Sequence, residues 1–162
     1  MKNYKVGIIG ATGMVGQRFA TLLKNHPWFT VTALAASKRS AGKTYKECVE
    51  SRWAMKTPIP KAMEDMIILD AANVEEVASK VDFVFCAVDM PKDQIRELEE
   101  AYAKAECPVV SNNSAHRHTP DVPMVIPEIN ADHIKIIDSQ RKRLGTKKGF
   151  VAVKSNCSLQ SY

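Results

Sequence analysis

The chain has 162 residues, of which 45% are hydrophobic and 25% are charged, a balance typical of one globular domain with a packed core. Its net charge of +5 is spread along the sequence, which suits an anionic ligand and does not predict nucleic-acid binding. No stretch approaches the roughly 20 apolar residues of a membrane helix, and the first residues run directly into a strand rather than a signal peptide, so we expect a cytoplasmic protein without membrane contact.

Short apolar strands alternate with helical patterns over the first 110 residues, and this order predicts an α/β fold in which helices cover a mostly parallel sheet. Strands are predicted at residues 4–9, 29–36, 67–69, 82–88 and 108–110. Helices are predicted from Met14 to about Asn25, over 74–77 with Asn73 as N-cap, and from Pro91 to about Ala105. The polar, proline-punctuated segment 37–66 is predicted to contain little regular structure.

The pattern changes after residue 110, where the regular alternation of strands and helices ends. The remaining sequence predicts a polar loop over 111–120, an extended segment over 122–127, a helix over 131–144 and a strand over 149–154. We therefore predict that the first structural part of the chain ends near residue 110 and that the remainder begins a different one.

A glycine-rich turn, Gly10-Ala-Thr-Gly13-Met-Val-Gly16, directly follows the first strand and opens the first helix. Such a turn lets the backbone approach a pyrophosphate, while the helix N-terminus supplies N–H groups and positive potential. The spacing is Gly-x-x-Gly-x-x-Gly rather than Gly-x-Gly-x-x-Gly, so a loop that only packs the helix remains an alternative. The placement of the turn favours a doubly wound, Rossmann-like domain that binds a dinucleotide.

The end of the second strand bears on the choice of dinucleotide. NAD-binding domains usually place an acidic residue there to accept from the ribose 2′-hydroxyl. This chain instead has Ser37-Lys-Arg-Ser40, with no acid before Glu47. Cations and hydroxyls suit a 2′-phosphate, so we predict NADP over NAD, with an exposed basic turn as the alternative.

Cys157 follows a predicted strand within Ser155-Asn156-Cys157-Ser158, a run typical of a strand, a turn and a helix start. A helix N-terminus stabilises a thiolate, and the amide of Asn156 could donate to a developing oxyanion. Many inert cysteines also follow a strand, so both interpretations stay open on context alone. The four cysteines are widely spaced without a Cys-x-x-Cys pair, and we predict neither a metal site nor a disulfide framework.

Arg117 lies in the polar loop after the fifth strand, where ligands bind in folds of this class. A guanidinium there suits bidentate phosphate recognition, and a surface arginine without a ligand is the alternative. We expect the flanking His116 and His118 to face solvent rather than to act in catalysis.

Taken together, these motifs resemble the aspartate-β-semialdehyde dehydrogenase family over almost the whole chain. The resemblance rests on the order and spacing of five segments: Gly10-Ala-Thr-Gly-Met-Val-Gly16, Ser37-Lys-Arg-Ser-Ala-Gly-Lys43, Val109-Val-Ser-Asn-Asn-Ser-Ala-His-Arg117, Asp121-Val-Pro-Met-Val-Ile-Pro-Glu-Ile-Asn130 and Ser155-Asn-Cys-Ser158. Residues 1–130 would then be the NADP-binding Rossmann-like domain. Residues 131–162 would be the truncated start of an α+β catalytic and dimerisation domain.

The resemblance implies a cofactor site made of two segments. The residues that would hold the pyrophosphate of NADP are Gly10, Thr12, Gly13, Met14 and Val15. The residues that would take the 2′-phosphate are Ser37, Arg39 and Ser40.

The resemblance also implies a substrate site. Asn112 and Ser114 would lie near the substrate and the nicotinamide, and Arg117 would bind the substrate phosphate. Cys157 would be the acyl-carrying nucleophile, with Asn156 beside it. The implied reaction is the NADP-dependent reductive dephosphorylation of L-aspartyl 4-phosphate to L-aspartate 4-semialdehyde through a cysteine thioester, a step in lysine, threonine and methionine synthesis.

The chain departs from the family in length, since family members are roughly twice as long. Their general-base histidine, their ligands for the substrate amine and carboxylate, and their dimer surface follow the nucleophile. We therefore expect this chain alone to be inactive and the full-length form to be a homo-oligomer. N-acetylglutamyl-phosphate reductase and malonyl-CoA reductase share the same logic, and a non-catalytic NADP-binding module is the other alternative.

Overall fold

The structure, a computed structural model, describes residues 3–158 of the chain. Within these residues the chain divides into two compact units, of which the first ends at Asp89 and the second begins at Met90. No helix within 3–158 combines the length and the apolar character that crossing a membrane requires.

The first unit is built on four parallel strands in the order β3-β2-β1-β4. These strands are β1 (Tyr4–Ile9), β2 (Phe29–Ala36), β3 (Ile68–Asp70) and β4 (Phe83–Cys86). Ile9, at the end of β1, pairs with Ala35 on one side and with Cys86 on the other. This strand order is that of a mononucleotide-binding half, which confirms the predicted α/β fold with its parallel, Rossmann-like sheet.

The core of the first unit follows from the apolar runs of its strands. Val6, Ile8 and Ile9 of β1 and Leu34 of β2 are fully buried, because parallel strands are covered on both faces. The rest of this core comes from helices and from the segment between β2 and β3, including Ala20, Leu23, Tyr45, Val49 and Met63.

Two helices of the first unit differ slightly from the predicted ones. Helix α1 (Met14–Leu23) ends before Asn25, which adopts a left-handed φ of 56° and so cannot continue the helix. The residue before the short helix over Val74–Ala78 is Asn73, as predicted, but its side chain caps no backbone N–H and donates to Glu76 Oε2 at 2.7 Å.

The segment 37–66 contains more regular structure than predicted. It forms α2 (Tyr45–Val49), a 3₁₀ turn (Glu50–Arg52) and α3 (Lys61–Glu64). A capping box starts α2, in which Thr44 Oγ1 accepts from Glu47 N at 3.3 Å and Glu47 Oε2 accepts from Thr44 N at 2.7 Å. The Thr-x-x-Glu spacing was therefore a readable helix signal. With the helix over Val74–Ala78 as α4, the first unit contains four α-helices within the described residues.

The second unit contains three parallel strands in the order β5-β7-β6. They are β5 (Val109–Ser111), β6 (Met124–Val125) and β7 (Val151–Lys154). Its α-helices are α5 (Lys92–Lys104), α6 (Pro127–Asn130) and α7 (Ile137–Leu144). The predicted helix over 131–144 begins as a 3₁₀ helix (Ala131–Ile136) before α7. The predicted domain boundary after residue 130 stays a prediction.

Polar side chains hold β7 in place between β5 and β6. Gln140 of α7 is fully buried, and its amide accepts from Val151 N at 2.6 Å and donates to Val151 O at 2.9 Å and Asp121 O at 3.0 Å. The Glu106 carboxylate accepts from the backbone N–H groups of residues 147–149, at 2.5 Å to 3.2 Å. The start of the segment that leads to Cys157 is thus fixed by hydrogen bonds to Gln140 and Glu106.

Candidate functional site

The glycine-rich turn is shaped by the close approach of β1, β4 and α1. Gly10 has a left-handed φ of 85°, and a Cβ at this position would collide with the carbonyl of Ala87. Gly16 is buried, and a Cβ there would collide with the carbonyl of Gly10. The N–H groups of Gly10 and Ala11 both donate to Ala35 O, at 2.8 Å and 3.0 Å. The turn therefore places the start of α1 directly at the end of β1.

The start of α1 can accept an anion. Gly13 is the N-cap and has no side chain to cap the helix, and Gly13, Met14 and Val15 are exposed. Among the described residues, the N–H groups of Thr12, Met14 and Val15 have no acceptor. A Cβ on Gly13 would meet only Gly10 O, at 3.5 Å, so this side of the turn is open. Unpaired N–H groups, the helix dipole and an open approach together fit a pyrophosphate.

The turn after β2 lies at the same edge of the first unit's sheet, because β1 and β2 are parallel neighbours paired through Ile9 and Ala35. Ser37, Lys38 and Arg39 are exposed, and a tight turn closes with Ser40 N donating to Ser37 O at 2.8 Å. Ser40 is largely buried, with 9% of its surface exposed. The structure therefore brings the two predicted cofactor segments to one edge, with the Arg39 guanidinium free of any ion pair within the described residues.

Two buried residues that were not predicted support the glycine-rich turn. Gln17 donates to Thr12 O at 3.2 Å and to Arg52 O at 3.3 Å, and it accepts from Ala54 N at 2.8 Å. Tyr45 is fully buried and donates to Ala11 O at 3.2 Å, and its burial raises the pKa of the phenol. Through these side chains the segment between β2 and β3 is linked by hydrogen bonds to the glycine-rich turn and stabilises it.

The predicted thiol site lies in the second unit, just after β7. Cys157 is exposed and begins a 3₁₀ turn. Asn156 Oδ1 accepts from Ser158 N and Ser158 Oγ, each at 3.1 Å, and from Cys157 Sγ at 3.4 Å. Asn156 thus stabilises the turn through its oxygen, and donation from its amide to an oxyanion stays a prediction. The predicted helix after the thiol would fall on residues 159–162, outside the described residues.

Arg117 is brought to the segment that precedes the thiol. Its guanidinium donates to Lys154 O at 3.3 Å and to Ser155 O at 3.4 Å, although 37 and 38 positions separate these residues in sequence. The Arg117 N–H donates to Ser114 O at 3.3 Å, which closes the loop on itself. Asn112 is half-buried and Ser114 is exposed, and their roles toward substrate and cofactor stay predictions.

The expectation that His116 faces solvent is wrong. His116 is 1% exposed, with Nδ1 at 3.1 Å from Thr119 Oγ1, and its burial lowers the pKa of the imidazole. The imidazole faces Glu99 of α5, a fully buried carboxylate whose Oε2 lies 4.0 Å from His116 Nε2. The sequence around Glu99 is highly charged and reads as a solvated helix face, so nothing in it signalled a buried acid. His118 is exposed, as expected.

Comparison with known proteins gives a consistent answer. Residues 5–137 match the family model for the semialdehyde dehydrogenase NAD binding domain. An aspartate-semialdehyde dehydrogenase of Archaeoglobus fulgidus is 43% identical over 157 residues, which are 96% of this chain and 43% of that protein. The Schizosaccharomyces pombe enzyme of the same name is 42% identical over 95% of this chain and 42% of its own length.

Solved structures agree with these relatives. The aspartate semialdehyde dehydrogenase of Candida albicans, solved with NADP, superposes with a TM-score of 0.84 at 37% identity, covering 97% of this chain and 44% of that one. Aspartate semialdehyde dehydrogenase II of Vibrio cholerae gives a TM-score of 0.67 at 28% identity over 97% of this chain and 43% of that one. The chain thus spans less than half the length of these relatives, and it belongs to the semialdehyde dehydrogenase family, as its resemblance to the aspartate-β-semialdehyde dehydrogenases predicted.

Proposed function

We propose that the chain supplies the NADP-binding part and the nucleophilic thiol of an aspartate-semialdehyde dehydrogenase. The observation that carries the proposal is the position of Arg117, whose guanidinium donates to the carbonyls of Lys154 and Ser155, three and two positions before Cys157. An anion-binding group beside an exposed thiol suits an acyl phosphate, because its carbonyl must meet a nucleophile while its phosphate leaves.

The cofactor assigned to the first unit is NADP. The open N–H groups at the start of α1 fit its pyrophosphate, which would be held by Gly10, Thr12, Gly13, Met14 and Val15. The exposed Ser37 and Arg39, with Ser40 closing the turn, would hold the 2′-phosphate. The relative from Candida albicans was solved with NADP, which supports this choice. When bound, NADPH would supply the hydride that reduces the acyl carbon.

The chemistry assigned to the second unit begins with the Cys157 thiolate. It attacks the acyl carbon of L-aspartyl 4-phosphate, the bond from that carbon to the phosphate oxygen breaks, and phosphate leaves with Arg117 as its counter-charge. A thioester on Cys157 remains, and it accepts a hydride far more readily than a carboxylate does. Addition of a hydride to the thioester carbon followed by cleavage of the carbon–sulfur bond would release L-aspartate 4-semialdehyde and return the Cys157 thiolate.

The proposal assigns only part of the catalytic machinery to this chain, which covers 43% of its Archaeoglobus fulgidus relative. The general base and the ligands for the substrate amine and carboxylate would come from outside it. We therefore propose that the 162-residue chain binds nucleotide and phosphate without completing a turnover, and that homo-oligomers form in the full-length enzyme.

Nucleotide titration tests the cofactor assignment. Isothermal titration calorimetry should show that wild-type chain binds NADP more tightly than NAD. Arg39→Gln should weaken NADP binding about tenfold, the worth of one charge-assisted hydrogen bond, and leave NAD binding unchanged. Arg18→Gln, which removes another exposed arginine from α1, is the matched control. Equal affinity for NADP and NAD in the wild type would refute the assignment.

Alkylation of Cys157 tests the substrate assignment. Cys157 is exposed and Cys86 is buried, so a faster reaction of Cys157 alone does not prove activation. Inorganic phosphate should slow iodoacetamide labelling of Cys157 in the wild type and in Arg18→Gln, but not in Arg117→Gln. A non-catalytic nucleotide-binding module predicts that phosphate has no effect on any of the three.

A further inference from the structure

The loop that carries Arg117 is folded around one buried carboxylate. Glu99 of α5 has no exposed surface, and its Oε1 accepts from Ser111 Oγ at 2.5 Å and from Asn113 Nδ2 at 3.0 Å. Its Oε2 faces His116 Nε2 across 4.0 Å, a distance too long for a hydrogen bond. Within the described residues these two atoms have no hydrogen-bond partner.

The loop residues fall into two sets around this carboxylate. Ser111 and His116 are each 1% exposed and Asn113 is half-buried, and all three turn toward Glu99. The other set comprises the residues predicted to bind substrate or cofactor: Asn112, Ser114 and Arg117. None of this second set makes a hydrogen bond to Glu99.

The burial of Glu99 restricts the conformations that the loop can adopt without a large cost in free energy. A buried carboxylate is costly unless hydrogen bonds satisfy it, and the two donors described for Glu99 both come from the loop. Any displacement of the loop would strip the carboxylate of those bonds. Arg96, on the same helix, reinforces the arrangement by donating to Ala115 O at 2.9 Å. Helix α5 therefore holds the loop through hydrogen bonds made by both Glu99 and Arg96.

We propose that Glu99 is a positioning residue that sets the conformation of the 111–117 loop and thereby orients Arg117 toward its phosphate. This inference rests on the proposed function, because it takes Arg117 as the phosphate ligand. Glu99 itself touches neither substrate nor cofactor. It acts through Ser111 and Asn113, which determine where the rest of the loop, including Arg117, lies.

A purely electrostatic role and a positioning role of Glu99 predict opposite effects of Glu99→Gln on anion binding at Arg117. If Glu99 acted only through its negative charge, removing that charge would strengthen the binding of an anion at Arg117. If Glu99 positions the loop, its loss weakens that binding, because an amide replaces the strong acceptor of the two loop donors. The sign of the change therefore separates the two explanations.

The experiment follows the signals of Arg117 by NMR while inorganic phosphate is titrated into ¹⁵N-labelled 162-residue chain. We expect Glu99→Gln to weaken phosphate binding at Arg117 about tenfold, the size of one charge-assisted hydrogen bond. Glu97→Gln makes the same chemical change at an exposed position of α5 and should leave the affinity unchanged. Urea unfolding of each variant establishes that the folded state is populated during the titration.

Unchanged or tighter phosphate binding in a folded Glu99→Gln variant would overturn the inference. If that variant does not fold, Asn113→Ala removes one donor without altering α5, and it should weaken phosphate binding by a smaller factor. If wild-type chain shows no response at Arg117, the phosphate assignment fails instead. Amide hydrogen exchange then decides the inference: exchange over residues 112–117 should be faster in Glu99→Gln than in Glu97→Gln, and equal rates would refute it.

Discussion

Replacing Gln140 by leucine tests how β7, the strand that leads to Cys157, is held in place. Gln140 is fully buried and makes three hydrogen bonds, two with the backbone of Val151 and one with the carbonyl of Asp121. Leucine has a similar volume and makes none of them. The substitution therefore leaves one N–H group and two carbonyls without their partner in the interior.

The size of the effect follows from these groups. A buried N–H group left unsatisfied costs about 1–3 kcal/mol, and a carbonyl, which has a second lone pair, sits toward the lower end of that range. The apolar surface of leucine returns about 1 kcal/mol on burial. We expect Gln140→Leu to lower the free energy of unfolding by about 3 kcal/mol, a large share of the stability of a domain of this size.

The assay is urea unfolding followed by far-UV circular dichroism, with the slope compared between variants so that a change in midpoint can be read as a change in stability. Lys142→Leu, at an exposed position of the same helix, is the matched control and should change the free energy of unfolding by less than about 0.5 kcal/mol. A Gln140→Leu variant within about 1 kcal/mol of the wild type would refute the argument that these bonds hold β7.

Three further predictions concern the turn and two titratable groups. Gly16→Ala should abolish NADP binding in calorimetry, because the added Cβ collides with the backbone at the end of β1. Gly42→Ala is the control: this residue has a φ of 83° and an added Cβ would meet no atom within 4 Å, so the substitution should lower stability and leave NADP binding unchanged. Equal NADP binding by the two variants would contradict the prediction. Hydrogen bonds from three backbone N–H groups in the loop before β7 lower the pKa of Glu106. The ionised carboxylate therefore stabilises the folded state above its unfolded pKa of about 4.3, and this stabilisation is lost as the pH falls through the folded pKa. Urea unfolding should show that Glu106→Gln destabilises the chain at pH 7 and has no effect at pH values below the folded pKa. Burial lowers the pKa of His116, so the free energy of unfolding should fall as the pH drops below about 6.5, where the imidazole of the unfolded chain binds a proton first. In urea unfolding, this dependence of stability on pH should weaken in His116→Gln and persist in His118→Gln. An unchanged dependence in His116→Gln would count against the buried imidazole as its source.

Features that depend on neighbours in sequence could be predicted from the sequence. The strands of the first unit, the start of α1 and the basic turn at 37–40 all lie within a residue or two of their predicted positions. Apolar runs and glycine placement report local backbone geometry, so one sequence suffices to find them. The Thr-x-x-Glu capping box at Thr44 is also local, so the sequence alone contains the signal for the start of α2.

Features that depend on distant partners were decided by the tertiary structure alone. Glu99 and Gln140 are polar residues on helices, and their charged sequence surroundings are typical of solvated faces. Each is buried because its partners come from another segment, such as Ser111 for Glu99 or Val151 for Gln140. The same holds for Arg117, which reaches the thiol segment across 37 positions. A motif states which groups are available, but burial and proximity arise only when the chain brings remote segments together, since desolvation and hydrogen bonding are set by distance in space.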